Sequence, residues 1–403
     1  MKILLVTNSP PFPSRDGVTV VSSHYIEEFR RRGIEVDLLY LQRDGDCFQF
    51  EEYNQNIFQK TFVCRIRRCS WGFSVFKQLT RGLPYFAQWQ PDVEVKELSA
   101  HQYDIAWATP RSTLKIVNGM RTSGELRCRK LLGGVNDIAS LRLLRIAKGW
   151  ASSDSFMGKL RKLIFYMQSI MLVRPEQRLL DFCDYVHVQT REEFTWVKRN
   201  FPESMHSKFI VQANGVDDCL FDLPMERNSK GIVFVGVMDG MYLERIKWFV
   251  SDCLPLLREK FPLLEVTIIG RCSNQQFVNS LANHQINYKE FVENVAELYA
   301  PYRVLVAPIF KGYGLINKVI QSMAAGTIVV GDATAYNGIL GFRDGLHGYV
   351  ANSPEDFVNE IVTALQGGPS VDLVQQNARE IISKNFRWGQ CAETVLSKIS
   401  LKN

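Results

Sequence analysis

The chain has 403 residues, of which 46% are hydrophobic, 22% charged and 11% aromatic. That length predicts two or three domains, and that composition excludes a disordered, collagenous or low-complexity chain. The net charge of +6 is unevenly divided, with 31 basic and 22 acidic residues over 1–215 and 17 and 20 over the remainder.

This asymmetry predicts two domains with different surfaces, the first facing something anionic, such as a membrane surface or a phosphorylated acceptor. The basic residues are scattered, with no interleaved aromatic run, so no nucleic acid is expected as a partner. Nine Cys at irregular spacing, with no C-x-x-C pair, and only six His argue against a disulfide framework and a structural zinc site. They read as the reduced thiols of a cytoplasmic protein. The opening MKILLVTNSPPFP lacks the apolar core of a signal peptide. The longest apolar stretch, residues 163–173, is too short to span a bilayer.

In chain order, residues 2–7 (KILLVT) read as a strand, followed by a Pro-rich loop and a helix over about 18–32 that Gly33 closes. Residues 34–41 form a second strand. Strand, loop, helix, Gly and strand make a βαβ unit and imply a parallel sheet. Residues 103–108 and 184–189 supply further strands. Residues 138–181 are helical and basic, with apolar positions Leu143, Ile146, Leu160, Ile164, Met167 and Met171. Such a face suits either an anionic membrane or burial within its own domain. Residues 210–230 read as a connector. The strand–helix pattern then restarts at 231–236, with a long helix over about 243–260. It continues through strands at 264–270, 302–308 and 327–331, and ends in one amphipathic helix over 373–399. The fold class is therefore α/β, with two Rossmann-like, doubly wound domains, 1–212 and 213–403, facing an interdomain cleft. The final helix is the segment that could pack back on the first domain. Ligands of such sheets bind beyond the carboxyl ends of the strands.

Two loops suit a phosphate. In the first, Gly17 opens the helix after strand one, where unpaired N–H groups point outward. The second is KGYGLINKVIQSMAAG over 311–326. Its Gly312 and Gly314 allow close backbone approach, and Lys318 lies in the first helical turn. Gln321 lies one turn further along the same face. A glycine loop, a helix N-terminus, a Lys and a polar side chain at that spacing suit a nucleoside diphosphate.

The order of these motifs resembles the retaining GT-B glycosyltransferases of family 4, and most of all their exopolysaccharide-type, group 1 members. The resemblance spans nearly the whole chain. It rests on KILLVTNSPPFPSRDGV at the start, on Asn214-Gly215-Val216-Asp217 as a linker motif, and on IVFVGVMDGMYLERIKW over 232–248. GYGLINKVIQSMAAGTIVV and the closing NAREIISKNFRW complete it. The resemblance implies that Gly17 and Gly236 face the donor phosphates and that Gly312, Tyr313 and Gly314 line the diphosphate. It implies that Lys318 neutralises the diphosphate as a catalytic group. By the same likeness Gln321 stands where the family has a Glu that holds the donor ribose; it keeps an acceptor oxygen and loses the charge. The family Arg beyond Gly236 is missing, and Arg245 or Lys247 substitutes for it. The segment LLGGVNDIASL, similar to its family counterpart, places Asp137 at the acceptor as a second catalytic candidate, with Asp16 on the acceptor side; Arg111, at the carboxyl end of the strand 103–108, is either a third acceptor-side residue or a surface Arg. Asp137 also suits the N-cap of the helix that starts near Ile138.

The resulting expectation is a retaining glycosyltransferase of polysaccharide or glycoconjugate biosynthesis. It would transfer a sugar from a nucleotide-diphosphate-sugar donor to a glycan or lipid-linked acceptor. Lys318 and the helix dipole hold the charge, so neither a cofactor nor a metal is implied. The setting is cytoplasmic, peripheral on an anionic membrane surface. The alternative is a catalytically impaired relative acting as a binding or assembly subunit.

Overall fold

A computed structural model describes residues 1–12, 17–43, 57–68, 89–92, 95–135, 137–149, 156–225, 231–310 and 314–400. The chain divides into two compact units, one of Met1–Ala213 with Cys391–Asn403 and one of Asn214–Gln390.

The described residues of the first unit form eight strands: β1 (Lys2–Thr7), β2 (Glu35–Arg43), β3 (Thr61–Arg68), β4 (Trp89–Pro91), β5 (Gln102–Ala108), β6 (Arg127–Gly134), β7 (Tyr185–Val188) and β8 (Phe209–Val211). Their order in the sheet is β4-β3-β2-β1-β5-β6-β7-β8. Among the described residues only the β3–β4 pair is antiparallel. The connector expected over 210–230 thus begins one element late, because β8 pairs with β7 through Val186–Phe209. Helices α1 (Gly17–Arg31), α2 (Leu114–Ser123), α3 (Ala139–Gly149), α4 (Phe156–Asp181) and α5 (Arg191–Asn200) belong to the same unit.

The second unit carries β9 (Ile232–Val235), β10 (Val266–Ile269), β11 (Ile286–Lys289), β12 (Val304–Ala307), β13 (Ile328–Gly331) and β14 (Tyr349–Val350). These form an all-parallel sheet in the order β11-β10-β9-β12-β13-β14. The runs IVFV, VTII, VLVA and IVVG are buried throughout, as expected of strands covered on both faces by crossover helices. Among those helices are α6 (Gly240–Trp248), α7 (Leu254–Lys260), α8 (Gln275–Leu281) and α9 (Asn317–Ala325), and α10 (Pro354–Gln366) and α11 (Pro369–Asn385) follow the last strand. The chain then passes into α12 (Trp388–Ser400).

Two expected helices are each divided. Between α6 and α7 the chain makes a wide turn over Phe249–Cys253. Pro255, the second residue of α7, has no N–H to donate to the preceding turn and crowds its carbonyls. The single helix read over 373–399 is α11 and α12. The break falls at Phe386, whose amide still closes α11 on Ile382 while its carbonyl accepts from the Val216 amide at 2.6 Å. That bond draws the carbonyl out of the helical ladder. It also fixes the Asn214–Asp217 motif, where a side chain at Gly215 would drive into Trp388.

Candidate functional site

At the carboxyl end of β9 the chain turns at Gly236, whose φ of 131° favours glycine. A Cβ there would lie 3.2 Å from the Lys318 Nζ. Behind it, Gly270 at the end of β10 (φ 139°) leaves no room for a side chain, which would drive into the Gly236 carbonyl oxygen. The two loops therefore meet backbone to backbone. Asp239 then starts α6 by accepting from the Gly240 amide at 2.8 Å. One helical turn carries Tyr242 and Arg245 on the same side, by their i, i+3 spacing.

The carboxyl end of β12 lies beside that of β9 in the sheet. Its chain leaves through Phe310, at a φ of 48°. Buried Asp332 anchors this residue: one carboxylate oxygen accepts from the Phe310 amide at 2.6 Å and the other from Thr334 at 2.8 Å. Gly312 and Tyr313 lie outside the described residues, as does Asp16 of the first unit. Gly314 comes next with a φ of 73°, and α9 begins at Asn317. No side chain caps the start of α9, and its first turn has no acidic residue. Its leading amides keep their capacity for an anion.

Lys318 stands at that start. Its ammonium lies 3.3 Å from the centroid of the Tyr242 ring, and the Tyr242 hydroxyl donates to the Val235 carbonyl at 3.1 Å. Among the described residues no carboxylate pairs with Lys318. Burial lowers its pKa well below the ordinary lysine value, because a cation removed from water without a counter-ion is disfavoured. Arg245 and Lys247 now separate. Lys247 pairs with Glu244 on the helix surface at 2.8 Å, while the Arg245 guanidinium lies over the Phe310 ring at 4.3 Å. Of the two, Arg245 is therefore the cation against Phe310. Gln321, one turn beyond Lys318, accepts from the buried Tyr299 hydroxyl through Oε1 at 2.9 Å. One lone pair of Oε1 and the amide N–H₂ remain for a ligand.

In the first unit, Gly17 opens α1 after β1. Arg111 and Asp137 leave the adjacent strands β5 and β6 and form an ion pair. The Arg111 guanidinium also donates to the Asp137 carbonyl. The second Asp137 oxygen faces Arg142 at 3.2 Å. Asp137 does not cap α3, contrary to the N-cap expectation. Glu176, reaching back from α4, accepts from the Ala139 and Ser140 amides at 2.6 and 3.0 Å and from the Ser140 hydroxyl at 2.6 Å. Glu193 receives the Ile138 amide at 3.3 Å. Glu176 is buried, and burial raises its pKa; the Arg111 charge and the Ser140 and Ala139 hydrogen bonds oppose that rise. Sequence reasoning missed Glu176, Tyr242 and Tyr299. No local pattern marks any of them, since each acts through a partner distant in the chain.

Residues 229–367 match the family model described as glycosyl transferases group 1. No curated protein sequence matches the chain. Among solved structures, sucrose-phosphate synthase from Thermosynechococcus elongatus superposes with a TM-score of 0.65 at 16% identity, covering 98% of this chain and 97% of its own. Anabaena HepE, solved in complex with UDP-glucose, gives a TM-score of 0.62 at 14% identity with both chains covered completely. S. aureus TarM, solved with UDP among its ligands, gives 0.65 at 11% identity, with 99% of each chain covered. The chain has the two-domain α/β fold of the GT-B glycosyltransferase structures, and its residues 229–367 match the model of group 1 glycosyl transferases.

Proposed function

We propose that the protein is a retaining glycosyltransferase of the family 4 type that uses a nucleotide-diphosphate hexose as donor. The observation that carries this reading is the Lys318 ammonium. It is half-buried, lacks a carboxylate partner among the described residues, and stands at the uncapped start of α9 against Gly236. A diphosphate would supply the missing counter-charge. It would accept from the leading amides of α9 and take a second cation from Arg245. As the glycosidic bond breaks, negative charge grows on the leaving diphosphate, and a preorganised cation there lowers the barrier. Gly236, Gly314 and the loop residues Gly312 and Tyr313 would admit the phosphates, with Gly17 of the first unit as a further phosphate contact. The UDP-glucose bound to HepE and the UDP bound to TarM make a uridine donor the first to try.

Gln321 would face the ribose, its Oε1 oriented by the Tyr299 hydroxyl and keeping one lone pair for a ribose hydroxyl. The acceptor, a glycan or lipid-linked sugar, would meet the first unit at Arg111 and Asp137, with Asp16 as a third acceptor-side residue. In that role Asp137 would orient an acceptor hydroxyl, because its carboxylate is already held by Arg111 and Arg142.

Titration calorimetry with UDP, and release of free UDP from a panel of nucleotide sugars, test the reading. Binding together with turnover of one donor is the expected result. Binding without turnover of any donor, acceptors included, would favour a binding or assembly subunit. No binding of any nucleoside diphosphate would remove the donor site.

A further inference from the structure

Helix α4 has two apolar faces. The inner one is satisfied within the first unit. Leu172 is buried with Ala139 and Leu143 of α3 and with Phe165, and the Ser169 hydroxyl donates to the Ser140 carbonyl at 2.8 Å. Among the described residues the outer face has no apolar partner. Leu160, Leu163, Ile164, Met167, Ile170 and Met171 are 39 to 56% exposed. At 100° per residue these six fall within an arc of about 120°, opposite Phe165, Ser169 and Leu172. The single apolar face expected over 138–181 is thus two, with Leu143 in the core and the later residues facing outward. Soluble proteins rarely leave a contiguous apolar patch of this kind open.

We infer that this outer face of α4 docks on an anionic phospholipid bilayer. The charge around it selects that occupant. The exposed side chains of Lys159, Arg161, Lys162 and Arg174 accompany the stripe, and no acidic residue occurs from 156 to 174. Over 138–174 there are seven basic residues and one acidic. A second copy of the chain would bring like charge against like charge, whereas anionic headgroups complement it. Among the described residues no helix is long and apolar enough to cross a membrane. The helix would therefore lie in the interface with its apolar side chains below the headgroups, the arrangement of an in-plane amphipathic helix. This inference goes beyond the donor site in the other unit and does not depend on it.

Co-sedimentation of the full chain with phosphatidylcholine vesicles, with and without phosphatidylglycerol, tests it. We expect pelleting with the anionic vesicles at low salt, reduced at high salt and slight with phosphatidylcholine alone. Lys159→Gln and Lys162→Gln should each lower partitioning about fivefold. Leu163→Glu combined with Ile170→Glu should lower it more than tenfold, on the order of the loss of two buried apolar side chains. Both positions are exposed, so the thermal midpoint and the UDP affinity should be unchanged. Equal recovery in the supernatant with both vesicle types would overturn the inference. So would undiminished pelleting of the Leu163→Glu, Ile170→Glu variant. A dimer in sedimentation velocity without lipid, abolished by that same variant, would assign the face to a second copy and overturn it as well.

Discussion

The carboxyl ends of the two sheets treat charge in opposite ways. In the first unit, Arg111 and Arg142 close on Asp137, and the α3 amides close on Glu176 and Glu193. In the second, among the described residues, Lys318 and Arg245 rest on the Tyr242 and Phe310 rings without a carboxylate, and α9 starts without a side-chain cap. A buried charge costs several kcal/mol unless paired. The first arrangement therefore serves stability. In the second, the aromatic faces offset part of the cost, and the lowered Lys318 pKa shows that a cost to the charged form remains.

That contrast can be broken from either side. The largest effect should come from Glu176→Ala, which leaves the buried amide donors of α3 without acceptors. We expect a loss of about 3 kcal/mol in urea unfolding, with nucleotide affinity retained in whatever fraction stays folded. A loss below about 0.5 kcal/mol would show that water replaces the carboxylate.

In the second unit the corresponding change should behave oppositely. Lys318→Met should weaken UDP binding by about 1.5–3 kcal/mol, the worth of a hydrogen bond to a charged group, while leaving the free protein as stable or more so. Stability lost together with binding would mean that Lys318 has a structural role. Stability should also depend on pH through this residue. Its folded-state pKa is depressed by burial, so between that value and the unfolded value near 10.4 the unfolded chain holds more protons. Stability should therefore rise with pH across that window, and Lys318→Met should flatten the rise. Diphosphate binding favours the charged form and should take up a proton within the same window. Calorimetry in buffers of differing ionisation enthalpy measures that uptake.

A smaller effect, about 1–2 kcal/mol in stability, should come from Gly236→Ala, which forces a side chain into a glycine conformation and against the Lys318 ammonium. It should weaken UDP as well, since the new methyl occupies the space beside Nζ. The smallest effect, within about 1 kcal/mol, should be that of Gln321→Glu. Tighter UDP binding would identify the amide as a weakened ribose ligand, and weaker binding would identify it as adapted to its own donor. No change at all would place the side chain away from the nucleotide.

The parallel sheets were legible because strands buried on both faces read as unbroken apolar runs, as IVFV and IVVG do. Lys318 and Gln321 were legible because helical spacing alone puts them on one face. Arg245 against Lys247 was not. They are two residues apart on α6 and so cannot share a face, but which of them meets the loop depends on where Phe310 packs. The anion-ready character of the site was hidden for the same reason. It depends on Tyr242 and Tyr299 lying beneath Lys318 and Gln321, and on the absence, among the described residues, of any carboxylate paired with Lys318. Gly270 read as the end of a strand, although its lack of a side chain is what lets the Gly236 turn sit where it does. The two faces of α4 could not be told apart either, since a helix apolar on opposite sides shows no single stripe.

The place of α12 in the first unit constrains the order in which the molecule is made. That unit takes in Cys391–Asn403, and Cys391, Ala392 and Val395 of α12 are buried. The Gln212 amide, at the far end of β8, donates to the Cys391 sulfur at 3.1 Å. Synthesis usually lets the amino-terminal domain fold first. Here Asn214–Gln390 is complete on the ribosome while the unit that began emerging before it still lacks a helix. For that interval the Gln212 side chain lacks its Cys391 partner and the side of the unit that α12 covers is exposed, so newly made chains should depend on chaperones chiefly through their amino-terminal half. Residues from 391 onward, supplied as a separate peptide, should protect that half from proteolysis.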